Sequence, residues 1–182
     1  MKGPSRFILE CLLTAVIMSA SGQFPIDLPG IPVPITLQSM FAILLPLTFR
    51  TSSATLGIVV YLLLALLGLP VLAGGGSGLE AFSGNSGGFL IGFAVISAAT
   101  HLWKERFPSP RLVILLGIFL FQHILLVVLG LSWIAVYKTS EIQWSTHVSP
   151  FIPGMLAKTV IGACTVAVYH RLRVRRGQQS PS

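Results

Sequence analysis

An all-α membrane protein, built as a bundle of six transmembrane helices, is the fold that three features of this chain predict. Of its 182 residues, 53% are hydrophobic and only 9% are charged, against roughly 25% charged in a typical soluble domain. The apolar residues gather in runs long enough to cross a bilayer, which takes about 20 residues. The basic residues fall almost entirely on one side of the arrangement that those runs imply. With so little charge the chain has no means of covering a water-facing surface, and a single membrane domain over residues 1–182 is expected.

The first span covers about 7–21. Lys2 and Arg6 precede it, as in a signal peptide, but Glu10 and Cys11 interrupt its apolar core and further spans follow, so it is read as a helix. The second span covers 36–49 and the third 53–72. As one helix they would run roughly 55 Å, far beyond a hydrocarbon core of about 30 Å. The polar break "FRTSS" at Phe49–Ser53 marks the reversal between them. The fourth span is 87–103, the fifth 112–137 and the sixth 150–172, followed by a basic tail over 173–182.

Six spans put both termini on one side. With that side cytoplasmic, Lys2, Arg6, Arg50, Lys104, Arg106, Arg111, Arg171, Arg173, Arg175 and Arg176 all lie there. Only Lys138 falls outside, and Lys158 lies within the sixth span. This asymmetry satisfies the positive-inside rule and places the protein in a plasma (inner) membrane. It accounts for the net charge of +7 with no nucleic-acid partner. The tail reads as an anchor on anionic lipid, or as a docking site for a cytoplasmic partner.

The expected external segments are long, nearly uncharged and rich in Gly and Pro: 22–35, 68–88 and 138–153. They retain apolar residues such as Val71, Leu79 and Phe82, so ordered loops capping a ligand pocket are expected. Pro32 and Pro34 stiffen the stretch "IPVPITLQSM" into an extended ribbon. Its amides would go unpaired in lipid, but it can line or cap a cavity at the outer face, with Thr36 and Gln38 able to turn polar atoms inward. A stiff loop whose Thr satisfies donors at a helix start is the plainer reading. Gly74, Gly75, Gly76, Gly78, Gly84, Gly87 and Gly88 permit sharp turns but do not form a phosphate-binding loop.

Lys158 lies roughly 8–12 Å along the sixth span from its external end. An ammonium there needs a snorkelling path or a partner carboxylate, from the protein or from a ligand. Asp27, Glu80 and Glu141 are the acids on that side. Gln122 and His123, in the middle of the fifth span, suit interhelical hydrogen bonds or a proton relay. Glu10 pairs with Arg6 four residues before it. His101 and His170 read as structural, and His147 with Trp144 faces a ligand or headgroups. Cys11 and Cys164 read as small buried hydrophobes. There is no HExxH, no nucleophile elbow and no nucleotide-binding loop.

Four segments in order, "PVPITLQSM" (32–40), "YLLLALLGLPVLAGGGSGL" (61–79), "GNSGGFLIGF" (84–93) and "PFIPGMLAK" (150–158), resemble the BioY biotin-transporter family. The resemblance covers about Pro25 to Lys158. It implies a substrate-binding S component of an energy-coupling factor transporter, not an enzyme and without a cofactor, that binds biotin near its external face. It implies a site at Thr36, Gln38, Gly74, Gly75, Asn85, Ser86, Gly87, Gly88, Phe89, Met155 and Lys158. It further implies a transmembrane coupling subunit and an ATPase pair as partners, touched through small residues four apart, here Ala15 and Ser19. Bundle packing explains those two equally well. Asn85, Ser86, Gly87, Gly88 and Phe89 stand where the family commonly reads Pro-Thr-Gly-Gly-Tyr. Met155 replaces the family's usual Asp, leaving Asn85 or Ser86 as replacement acceptor for a ureido N–H. An S component for another small vitamin or carboxylate, a solo secondary biotin transporter and a membrane assembly protein are the alternatives.

Overall fold

The computed structural model describes residues 3–26, 35–137 and 148–178, with side chains as far as Arg173. Among these described residues seven α-helices follow in order: α1 (Pro4–Gly22), α2 (Gln38–Thr48), α3 (Thr51–Leu66), α4 (Gly78–Ser83), α5 (Gly87–Arg106), α6 (Leu112–Tyr137) and α7 (Phe151–Gln178). A single 3-10 turn, Ala73–Gly75, precedes α4. Among the described residues the only extended pairing is an isolated antiparallel bridge between Ile26 and Ile35. Three helices are long and apolar enough to cross a membrane: Pro4–Gly22, Leu112–Tyr137 and the Phe151–Arg173 part of α7.

The bundle is organised around α2. Every residue of this eleven-residue helix except Phe41 is buried. A helix apolar on all sides has no solvent face to keep and belongs in a core. Helices α1, α3, α5, α6 and α7 all pack against it. At about 1.5 Å per residue, α2 is only about 16 Å long, shorter than the 36–49 expected for it. The third helix is shorter too. It stops at Leu66 rather than Leu72, because Gly68 adopts a positive φ of 95° and Pro70 follows. The apolar composition of 67–72 hides that stop, and Leu72 is buried as loop rather than helix.

Two other expectations need correction. The sixth long helix, α7, continues through Gln178, so the start of the basic tail is helical. Cys164 is exposed on the outer face of α7, whereas Cys11 is buried as expected. In the segment between α3 and α5, Val71 and Phe82 pack on the core while Leu79 is 72% exposed.

The tight turn from α2 into α3 is held by two charged groups from other helices. The Glu10 carboxylate accepts from Arg6 Nε at 2.7 Å, Ser53 Oγ at 2.6 Å and the Arg50 backbone N–H at 3.0 Å. It therefore sits at the N-terminus of α3, where the helix dipole favours an anion. Lys104 Nζ donates to the carbonyls of Pro46 (2.8 Å) and Phe49, at the C-terminus of α2, where the dipole favours a cation. Tyr169 Oη adds a third donor, to Thr48 O at 3.1 Å.

Glycines set the α5–α6 seam. A Cβ at Gly88 would overlap the Trp133 side chain, and one at Gly130 would overlap the Phe89 ring. Trp133 Nε1 also donates to Gly84 O at 3.0 Å, fixing the chain just before α5.

Two outcomes follow. Glu10→Gln removes a charge and turns an acceptor into a donor facing three donors, so the folded state loses about 1–3 kcal/mol. The thermal unfolding midpoint in detergent falls accordingly, and an unchanged midpoint would remove Glu10 from this role. Gly88→Val forces Trp133 away and costs about 1–3 kcal/mol by overpacking, measured in the same assay; Gly117→Ala, where a Cβ meets nothing within 4 Å, serves as the silent control.

Candidate functional site

A cavity of about 150 Å³ lies at the end of the bundle where α2, α5 and α7 begin. That is roughly ten times the space a single water needs. Its walls are mainly apolar, with Leu72, Phe89, Leu90, Phe93, Leu126, Val127 and Phe151 contributing. Phe89 and Phe151 stack with ring centroids 5.6 Å apart and an interplanar angle of 27°. Phe89 holds its place because Gly130 leaves room for the ring.

The polar groups on the cavity are few and mostly tied down. Gln38, 2% exposed, donates through Nε2 to Tyr61 Oη at 2.6 Å and to Met18 O at 3.2 Å. Its Oε1 accepts from Thr36 Oγ1 at 3.3 Å. The side chain thus pins the start of α2 to α1 and α3, which is the role its burial demands.

Lys158 lies seven residues into α7, about 10 Å along the axis. Its ammonium does not snorkel outward. It turns into the bundle and donates to Ser39 Oγ at 2.7 Å and Thr36 O at 3.2 Å. Both acceptors are uncharged. Among the described residues the carboxylate pairs are Arg6–Glu10 and His101–Glu105, neither at this cavity. Asp27 and Glu141 lie outside the described residues, and so do Pro32, Pro34, Trp144 and His147.

The backbone adds to the positive character of the site. The first turns of α2, α5 and α7 all begin at the cavity, at Gln38, beside Ser86 and at Phe151. None of the three carries an acidic residue in that turn. Each helix N-terminus presents unpaired N–H groups and a partial positive charge. Three such ends and one ammonium around an apolar void suit a ligand with an apolar body and an anionic or strongly accepting group.

Of the residues expected at the site, Thr36, Gln38, Ser86, Phe89, Met155 and Lys158 line this cavity. Gly74, Gly75, Asn85, Gly87 and Gly88 are not on its wall. Gly74 and Gly75 instead supply positive φ angles of 62° and 80° for the 3-10 turn, which carries Ala73 onto the wall. Gly87 and Gly88 face Trp133 on the other side of α5. Asn85 is exposed, which leaves Ser86 as the one of those two on the wall. Ala15 is 5% exposed within the core, and Ser19 Oγ donates to Ala15 O at 2.8 Å. The small-residue pair is thus committed within the bundle on the Ala15 side. The outward face of α1 is instead Ile8, Leu12 and Val16.

Ser39, Phe93 and Phe151 line the cavity without having been singled out, and so does His123, which the sequence marked only as an interhelical bonding group or proton relay. Ser39 could have been found from its place one residue past Gln38 at the start of an inward-facing helix. The expected interhelical bonds in the middle of α6 are present: Gln122 Nε2 donates to Thr100 Oγ1 at 3.1 Å, and His123 Nδ1 lies 3.3 Å from Thr159 Oγ1.

A profile described as the BioY family matches residues 2–175. Among similar proteins, the biotin transporter BioY of Rhodobacter capsulatus is 33% identical over 172 residues, covering 86% of this chain and 90% of that one. The biotin transporter BioY of Lactococcus lactis is 32% identical over 178 residues, covering 92% and 90%. A solved structure, of the S-component for biotin from an ECF-type ABC transporter, superposes with a TM-score of 0.79 at 27% identity, over 93% of this chain and 91% of that one. The chain belongs to the BioY family.

Proposed function

We propose that the protein binds biotin in the cavity between α2, α5 and α7 and mediates its uptake as the S component of an energy-coupling factor transporter. The observation that carries this reading is Lys158: an ammonium turned into an apolar cavity, with only Ser39 Oγ and Thr36 O as partners among the described residues. Desolvating an ammonium costs several kcal/mol unless it is paired, and an entering carboxylate or urea oxygen supplies the partner. The names of the relatives support biotin as that ligand. The Phe89–Phe151 stack and the aliphatic wall would bury the bicycle. Thr36, Gln38, Ser86 and Met155 complete its surroundings, with Gly74, Gly75, Asn85, Gly87 and Gly88 shaping the backbone that frames them.

In this reading α1, α2, α3, α5, α6 and α7 are the six spans of one membrane domain over residues 1–182. The end bearing Arg6, Arg50, Lys104, Arg106 and Arg111 is cytoplasmic, as are both termini, and the cavity end is external. The membrane is the plasma (inner) membrane. Coupling to ATP hydrolysis falls to partners, a transmembrane subunit and an ATPase pair. The exposed apolar face of α1, extending to Ser19, is the surface offered to the first of these or to lipid. The protein itself carries out no catalysis.

A second reading, another small vitamin or carboxylate, is favoured by Met155. It lies on the cavity wall where the resemblance leads one to expect an Asp acceptor.

The test is biotin binding by the purified protein in detergent. Lys158→Met lowers affinity about 10–100-fold, the worth of one or two charge-assisted hydrogen bonds, while Lys158→Arg retains part of it. Unchanged affinity in Lys158→Met removes that residue from the site. No saturable biotin binding by wild type, with another carboxylate vitamin binding instead, favours the second reading.

A further inference from the structure

His123 is the one side chain on the cavity that is both deeply buried and left with an unanswered polar atom. It is 2% exposed and lines the cavity from the middle of α6. Its Nδ1 lies 2.9 Å from the backbone carbonyl of Phe119 and 3.3 Å from Thr159 Oγ1. A carbonyl oxygen only accepts, so Nδ1 carries the proton. In the neutral ring Nε2 then presents a lone pair. Nε2 is buried and is the single buried side-chain nitrogen or oxygen without a hydrogen-bond partner among the described residues. Leaving such an acceptor unpaired costs about 1–3 kcal/mol, and native structures seldom keep one without a use.

The neighbouring polar groups are of the opposite kind. Lys158 Nζ is a donor, and it immediately precedes Thr159, the residue that touches His123 Nδ1. Met155, one helical turn before Lys158, offers only a weak acceptor. Gln38 and Thr36 are engaged with each other, Tyr61 and Met18. His123 thus brings one buried, unpaired acceptor to the wall of the cavity, on α6, and Lys158 brings one strong donor, on α7, with the hydroxyls of Ser39 and Ser86 as the remaining polar side chains there.

We propose that His123 Nε2 is a ligand-binding acceptor that takes an N–H of a cyclic urea, while Lys158 takes an oxygen of the same ligand. This rests on the biotin reading above and assigns the part of the ligand that His123 recognises. It also supplies the acceptor that Met155 lacks. Ligands carrying the oxygen but no N–H leave Nε2 unpaired and bind less well, so the pair selects for a urea or amide edge over a simple ester or ketone.

The experiment measures affinities of the purified protein for biotin and for the two biotin derivatives methylated at one ureido nitrogen or the other. Wild type is expected to bind at least one methylated derivative ten-fold or more weaker than biotin. His123→Phe, which keeps a ring of similar breadth and removes the acceptor, is expected to lose at least ten-fold for biotin and to bind biotin and both derivatives within about three-fold of each other. His123→Asn, with an amide oxygen, is expected to recover part of the affinity. Wild type that does not distinguish the derivatives overturns the proposal without any variant having to fold. So does a monodisperse His123→Phe that binds biotin as wild type does. Absence of biotin binding by wild type overturns the vitamin reading and this proposal with it, whereas loss on Lys158→Met with no effect of His123→Phe overturns this proposal alone.

Discussion

The structure depends on a helix that has no surface. Helix α2 is packed against five others, and every one of its residues but Phe41 is buried. Each helix terminus leaves unpaired backbone groups. At the C-terminal end they are answered by side chains sent from elsewhere in the chain. At its C-terminus, Lys104 from α5 and Tyr169 from α7 reach the last carbonyls. At its N-terminus no side chain caps the backbone N–H groups: Gln38 Nε2 donates away, to Met18 O on α1 and Tyr61 Oη on α3, and Lys158 donates to Thr36 O and Ser39 Oγ. The need to pair the last carbonyls of α2 thus accounts for where Lys104 stands, and not for where Lys158 does.

The two ends differ electrostatically. A cation at the C-terminus of a helix is favoured by the dipole, and Lys104 occupies that position. Lys158 stands at the opposite end, where the dipole of α2 opposes a positive charge. Two further helix N-termini, of α5 and α7, open onto the same void. One end of the bundle is satisfied within the chain; the other combines several positive contributions and an apolar hole. That difference separates the two lysines: Lys104 is spent on capping a helix, and Lys158, read in the sequence as an ammonium inside a span, is the one proposed to meet a ligand.

Much of the fold was legible because the bilayer imposes a coarse length scale. The bounds of α6 follow directly from its uncharged run, 112–137, and the reversal at Phe49–Arg50 from a polar break between apolar stretches. The end of α3 was hidden. Leu67–Leu72 is apolar enough to continue a helix, and only Gly68 and Pro70 encode the stop. At the site, Lys158 was legible because an ammonium in a span demands an explanation. The glycines were legible as special but not as to why. Gly88 looked like a ligand-facing turn and is the seat of Trp133. His123 read as a bonding group between helices, and it is one through Nδ1. What periodicity could not convey is that its second nitrogen stays unanswered.

The neutral company kept by the Lys158 amine, Ser39 Oγ and Thr36 O, has an electrical corollary. On the proposed reading, a cargo that presents a carboxylate to this amine would act as its counter-ion. The cleft would then bear a unit charge before loading that it loses on loading. In a medium of low dielectric constant that distinction is large, so on the proposed reading loading would discharge the site.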